Sequence, residues 1–194
     1  KPIYAGDTLR TTSEVIGLKQ NSNGKSGIVW VVSKGFNQRN DLVIEYKRWV
    51  MVRKRHIDVA APETVLPDLA TCIAPQDLSI PEGLDFTDYD FSLAGEQHRA
   101  CDYEVGEKIN HVDGFTVEEA EHMIATRLWQ NTAKVHFDTS ARSDGKRLIY
   151  GGHVISMART LSFNGLANAQ MIAGINAGAH ANPCLAGDTI RAWS

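Results

Sequence analysis

The two ends of the chain carry the same short pattern. Residues 2–13 read PIYAGDTLRTTS and residues 183–194 read PCLAGDTIRAWS, with seven of twelve positions identical and Leu9 matched by Ile190. A separation of 181 residues is far too long for a short-period stacked repeat. Glycine and aspartate recur in turns for backbone reasons, but seven identities exceed what a turn needs. The pattern implies two similar modules, entered part-way through the first and left part-way through the second. On that reading the 194 residues are part of a longer polypeptide. Expressed alone, such a piece would leave sheet edges and apolar faces uncovered and is expected to be poorly stable or to associate.

The pattern between the ends supports this division. Residues 9–55 read as an antiparallel meander. Strands over 9–18, 27–36 and 42–53 are separated by the turns Asn21-Ser22-Asn23-Gly24 and Asn37 to Asp41. In the third strand Leu42, Ile44, Tyr46, Arg48, Val50 and Val52 form a mostly apolar set, expected to face a core. Residues 56–101 hold four of the six prolines and little apolar periodicity, and read as an extended connector. A second module is expected over 102–194. It has a strand over 109–115, then Thr116-Val117-Glu118-Glu119 as a capping box opening a helix to about Trp129. A polar loop follows, and then an apolar helix over 153–163 behind Tyr150-Gly151-Gly152. Residues 169–180 fit strand or helix equally. Gly187-Asp188-Thr189-Ile190 should enter a strand. The expected domains are thus 1–55, 56–101 and 102–194.

Composition removes several function classes. Lys and Arg number 20 against 23 Asp and Glu, a net charge of −3, so the basic excess of a nucleic-acid binder is missing. With 43% hydrophobic and 22% charged residues the chain is not of disordered composition. Cys72, Cys101 and Cys184 form no CxxC pair, which points away from a disulfide framework or a zinc site and toward ordinary thiols in a reducing cytoplasm. The stretch 153–181 is broken by Arg159, Asn164, Asn168 and Asn176, which argues against a membrane helix. No nucleic-acid, membrane or metal partner is expected, and the expected location is cytoplasmic.

Two local patterns carry chemistry. One is Asn131-Thr132-Ala133-Lys134-Val135-His136-Phe137-Asp138, after the capped helix. The other is Tyr150-Gly151-Gly152-His153, at the start of the apolar one. A helix N-terminus offers free backbone N–H groups and partial positive charge, and glycine lets a substrate oxygen approach them. That is the make-up of an oxyanion hole. An imidazole from the preceding loop titrates near neutral pH and can act as general base. On these residues alone a structural glycine pair and a structural histidine remain open. Glu118, Glu119, Glu121 and His122 read as a solvated helix face, and Asp138 as a loop carboxylate.

The arrangement resembles the MaoC-like hydratases, hotdog-fold enzymes that add water to enoyl-CoA thioesters. Their pattern places Asp five residues before His and a glycine at the start of the central helix. Here Asn131 and His136 keep that spacing and Gly152 takes the glycine's place. The segments SEVIGLKQNSNGKSG, EYKRWVMVRKR, TVEEAEHMIATRLWQNTAKVHF, YGGHVISMARTLSFNGLANA and AGDTIRAWS carry the likeness across nearly the whole chain outside the connector. It implies an α+β hotdog fold, an antiparallel sheet wrapped around a central helix, in a double-hotdog arrangement seen only in part. It implies a hydro-lyase with His136, Asn131 and Gly152 in the site, an acyl-CoA thioester as substrate, a homodimer, and no cofactor, coenzyme A being part of the substrate. Asn131 stands where the family pattern has Asp, and an amide cannot accept a proton as a base. A substrate carboxylate would call for a cation, for which Arg159, His153 and His180 are candidates. Arg53-Lys54-Arg55-His56 is a further candidate, for coenzyme A phosphates. A hotdog thioesterase and a non-catalytic acyl-CoA-binding module are the rival readings.

Overall fold

The repeated pattern folds the same way twice. In the first copy Asp7 accepts the Tyr4 N–H at 3.0 Å and returns its own N–H to the Tyr4 carbonyl at 3.0 Å. In the second, Asp188 accepts the Leu185 N–H at 2.8 Å and returns its N–H at 3.1 Å. Gly6 and Gly187 sit at φ of 96° and 93°, in the left-handed region that a side chain disfavours. Each turn leads into a strand. Residues 1–194 are all described by this computed structural model, in which they group into two units.

The first unit comprises residues 1–84 with 173–176. Its frame is an antiparallel sheet of β1 (Arg10–Gln20), β2 (Ser26–Phe36) and β3 (Leu42–Arg53), in that order. The expected turns form where asparagine chemistry puts them. Asn23 Oδ1 accepts the Lys25 and Ser26 N–H groups. The buried Asn37 accepts from the N–H groups of Arg39 and Asp41 and donates to the Asp41 carboxylate. A bulge between Val15 and Gly17 lets Val65 bridge to Leu18. A side chain at Gly17 would run into Pro67 and the Val65 carbonyl, so the glycine admits the proline-bearing segment to the strand.

One expectation fails in this unit. The set beginning at Leu42 does not face a core: Ile44 is 52% exposed, and Trp49 on the other face is 56% exposed. The reason is that only a single 3₁₀ turn (Pro75–Asp77) and irregular chain accompany the sheet within the unit. Alternation selects two faces, but burial needs a layer to pack on them.

The second unit comprises residues 85–172 with 177–194. β4 (Asn110–Thr116) pairs antiparallel with β5 (Thr189–Trp193). Between them in sequence come α1 (Glu119–Leu128) and α2 (Gly151–Leu161). The capping box lies two residues later than expected. Glu118 is the N-cap, and Glu121 reaches back to its N–H at 3.1 Å. Thr116 is instead held in β4, where its hydroxyl pairs with that of Thr189. α2 likewise begins earlier than expected, with the two glycines inside its first turn. Residues 169–180 are neither strand nor helix.

The apolar core here is small. Val117, Ile149 and Met157 form it, with Val154, Cys184 and Ile190 packed around them. A buried histidine ties chain segments together beside it. His111, fully buried, donates from Nδ1 to the Asn164 carbonyl, and its Nε2 lies 2.9 Å from the Ser194 hydroxyl. Because so few side chains hold α2 on the sheet, deleting one should be felt strongly. Met157→Ala is expected to destabilise this unit by about 2–5 kcal/mol, measured as a lowered denaturant midpoint.

Candidate active site

The chain leaving α1 is fixed by its own capping. Gln130 takes a positive φ of 51°, its N–H bonds to the Arg127 carbonyl, and the Asn131 N–H bonds back to Thr126 at 3.0 Å. This is the paired 5→2 and 6→1 pattern of a Schellman cap, here with glutamine in the left-handed position. It sets Asn131 at the helix exit. The Asn131 Oδ1 then accepts the Ala133 N–H at 3.0 Å. That bond orients the amide, so the NH2 is the side of Asn131 left for other partners. Asn131 lines a cavity of about 280 Å³ at the end of α1, with Met123, Thr126, Arg127 and Phe137.

Five residues on, a 3₁₀ turn over Lys134–His136 delivers the imidazole. The His136 Nδ1 lies 2.8 Å from the Leu148 carbonyl. A carbonyl only accepts, so in the neutral ring Nδ1 carries the proton and Nε2 presents its lone pair. This is the tautomer a general base requires. The Leu148 N–H bonds to Val135 at 2.9 Å, which locks the two strands of the loop together.

The next residues build the start of α2. Tyr150 is the N-cap, and its carbonyl accepts from both His153 and Val154. The N–H groups of Gly151 and Gly152 have no partner within the chain. Two glycines are poor helix formers, and packing explains both. The Tyr150 ring folds back over Gly152, so a Cβ there would lie 2.6 Å from its Cζ and hydroxyl. The His180 imidazole covers Gly151 in the same way. The Tyr150 ring also stands edge-on to His136, with centroids 5.9 Å apart. The structure therefore brings His136, Tyr150 and Gly152 together. No hydrogen bond joins Asn131 to His136.

His122 is where the sequence reading fails most plainly. Expected on a solvated face, it is fully buried, and its Nε2 accepts the Tyr150 N–H at 2.9 Å. The acids Glu118, Glu119 and Glu121 around it suggested solvent. The usable signal was its i, i+4 spacing to Thr126, which is also buried. Its ring centroid is 6.5 Å from that of His136 and 6.1 Å from that of His153. Burial holds the His122 pKa below the ordinary histidine value, and the neighbouring His153, His136 and Arg147 push it the same way.

The cation candidates separate. Arg159 donates to the Ser162 hydroxyl in the last turn of α2. It lies about 10 Å along the helix from the glycines at 1.5 Å per residue. His153 lies 3.5 Å from the Glu121 carboxylate, a charge contact when protonated rather than an aligned hydrogen bond. His180 is at the helix start. Asp138 caps the 3₁₀ turn over Thr139–Ala141, where bonds from Ser140 hold its carboxyl below the usual range. In the first unit, Lys54 of the basic run is spent on Gln20 and the Ile57 and Val59 carbonyls. No helix is long and apolar enough to cross a membrane.

A depressed histidine pKa makes stability depend on pH in a definite direction. Between the unfolded value near 6.5 and the lower folded one, the unfolded chain binds more protons at His122, so stability falls as pH drops through that window. The exposed His98, raised by Glu96, acts in the opposite sense but equally in any His122 variant. Thermal melts at pH 7 and pH 5 should therefore show a larger acid loss for the native sequence than for His122→Gln.

No family model matches the chain. Mesaconyl-CoA hydratase of Cereibacter sphaeroides is 70% identical over 194 residues, covering all of this chain and 57% of that protein. Beta-methylmalyl-CoA dehydratase of Chloroflexus aurantiacus is 58% identical over 195 aligned residues, covering 99% of this chain and 55% of that protein. The chain thus spans little more than half the length of these curated relatives. A crystal structure from Chloroflexus aurantiacus, described as a MaoC domain protein dehydratase, superposes with a TM-score of 0.94 at 58% identity, over 98% of this chain and 55% of its own. A double-hotdog protein of Mycobacterium tuberculosis shares the fold at a TM-score of 0.61 and 24% identity, over 95% of this chain and 56% of its own. The chain carries, over its whole length, the sequence and the α+β fold of the MaoC-like hotdog hydratases and dehydratases.

Proposed function

We propose that the protein containing this chain reversibly hydrates an enoyl-CoA thioester, with mesaconyl-CoA and beta-methylmalyl-CoA as the acyl pair. The observation that carries this reading is the fixed tautomer of His136 beside two free N–H groups. The Leu148 carbonyl holds the proton on Nδ1, and Gly151 and Gly152 open α2 with unpartnered donors. A base and an oxyanion site are the two things that addition of water to a thioester-activated double bond demands.

The thioester carbonyl sits at the N-terminus of α2, where the Gly152 N–H takes the developing negative charge. His136 Nε2 removes a proton from water as its oxygen bonds to C3, and the π electrons move through C2 to the thioester oxygen. The enolate collapses, C2 takes the proton back from the His136 imidazolium, directly or relayed through a water, and the ring is neutral again. Dehydration is the reverse. Asn131 acts as a donor to the water oxygen through its NH2 group, its Oδ1 accepting the Ala133 N–H, and not as a second base, because an amide does not take up a proton. Coenzyme A enters and leaves with the substrate, no further cofactor or metal takes part, and the enzyme works as a cytoplasmic homodimer. His180, against Gly151, is the side chain that meets an acyl carboxylate.

His136→Ala is expected to lower hydration of mesaconyl-CoA by about 10²–10⁴-fold, the span of a lost general base, followed as loss of enone absorbance in the intact protein. Turnover near the native rate would overturn the assignment. Release of free thiol with any acyl-CoA, detected with a chromogenic reagent, would mark a thioesterase instead. Unchanged absorbance with the native protein would mark a binding module.

A further inference from the structure

We propose that His122 is a positioning residue, a neutral imidazole that fixes the N-terminus of α2 against α1 by accepting the Tyr150 N–H. It rests on the hydratase reading for its kinetic consequence but not for its structural one.

The geometry is specific. α1 and α2 belong to distant stretches of sequence, and the Tyr150 N–H to His122 Nε2 bond of 2.9 Å is the hydrogen bond that joins them at the point where α2 begins. Tyr150 is the N-cap, so its plane determines where the following Gly151 and Gly152 N–H groups aim. Its ring covers Gly152 and stands against His136. One acceptor atom thus holds the cap that sets both the donors and the wall beside the base.

The bond works in only one protonation state. Nε2 accepts, so it carries no proton, and the single proton of the neutral ring is on Nδ1. A protonated His122 would turn Nε2 into a donor facing the Tyr150 N–H, and would place a charge against two other imidazoles. The groups facing it all bear on this. His136 stands on the loop before α2 and His153 in the first turn of α2, while Arg147 lies on the irregular chain leading into α2 and Glu119 on its own helix. Desolvation and three of these four favour the neutral ring. The apolar alternative would be cheaper to bury, since Nδ1 of His122 has no partner in the protein. An unpartnered buried donor is costly, and the Tyr150 bond is what the imidazole supplies in return.

Two variants of the intact protein separate positioning from mere filling of space. Gln at 122 can place its Oε1 where Nε2 lies and accept the same N–H, whereas Asn has the same amide one methylene short of it. His122→Asn is expected to lower kcat for mesaconyl-CoA by about 100-fold, the cost of an ångström-scale misplacement. KM should move by less than about threefold. His122→Gln should recover most of kcat, and its acid limb should be no steeper than the native one. Amide hydrogen exchange at Tyr150 reads the bond directly. It should stay slow in the native protein and in His122→Gln and rise about tenfold or more in His122→Asn, as for one lost hydrogen bond. Equal kcat in the two variants, or equal Tyr150 exchange, would overturn the proposal. If His122→Asn fails to fold, Tyr150 exchange in His122→Gln against the native protein decides it, with lost protection overturning it. If the native protein shows no hydration, the hydratase reading falls while the exchange comparison still decides the role of His122.

Discussion

The start of α2 is joined to α1 by one hydrogen bond, from the Tyr150 N–H to a buried imidazole on α1. An ordinary N-cap uses a serine, threonine, aspartate or asparagine side chain to satisfy the first free N–H groups. Tyr150 has no such side chain, and no side chain caps this helix from within. The cap is organised from outside instead. That leaves the Gly151 and Gly152 N–H groups free, at a site where a self-contained cap can take up the Gly152 N–H. The same choice explains two glycines where helix propensity would favour alanine. The ring of Tyr150 and that of His180 occupy the space a side chain would need.

The histidines around this point divide their roles by which nitrogen is engaged. His136 gives its Nδ1 proton to a carbonyl and keeps Nε2 as a lone pair, whereas His122 spends its Nε2 lone pair on a backbone N–H. His111, remote from them, uses both nitrogens to bind chain segments together. An imidazole suits such roles because its neutral ring is a donor and an acceptor at once. Asn131 shows the converse. Its carbonyl accepts from Ala133 and an amide does not take up a proton, so the proton chemistry of the pair falls on His136.

The two units differ in how they are held. In the second, a handful of apolar side chains clamps α2 onto β4 and β5, with paired backbone bonds at both ends of the strand pair. In the first, the three strands rely on long backbone ladders and on asparagine-built turns, while large side chains on both faces stay exposed. The repeated Ala-Gly-Asp-Thr turn begins the strand that closes each sheet. Its glycine supplies a backbone angle other residues avoid, and its aspartate ties the turn to itself.

The elements governed by local rules were legible in the sequence. Turn chemistry placed the Asn21–Gly24 and Asn37–Asp41 reversals, alternation gave β3 its limits, and glycines beside an apolar run marked the head of α2. Likeness in the motif segments pointed to the hotdog family. What the sequence could not supply was anything decided by contact across the chain. The capping box moved from Thr116 to Glu118 because β5 claims the Thr116 hydroxyl. The apolar set from Leu42 stayed exposed for want of a covering layer. His122, ringed by acids in sequence, went to the interior because the turn before α2 brings it a backbone N–H to bind. Local preference is written residue by residue, but burial and hydrogen-bond partnership belong to pairs far apart in the chain, and only the tertiary structure chooses them.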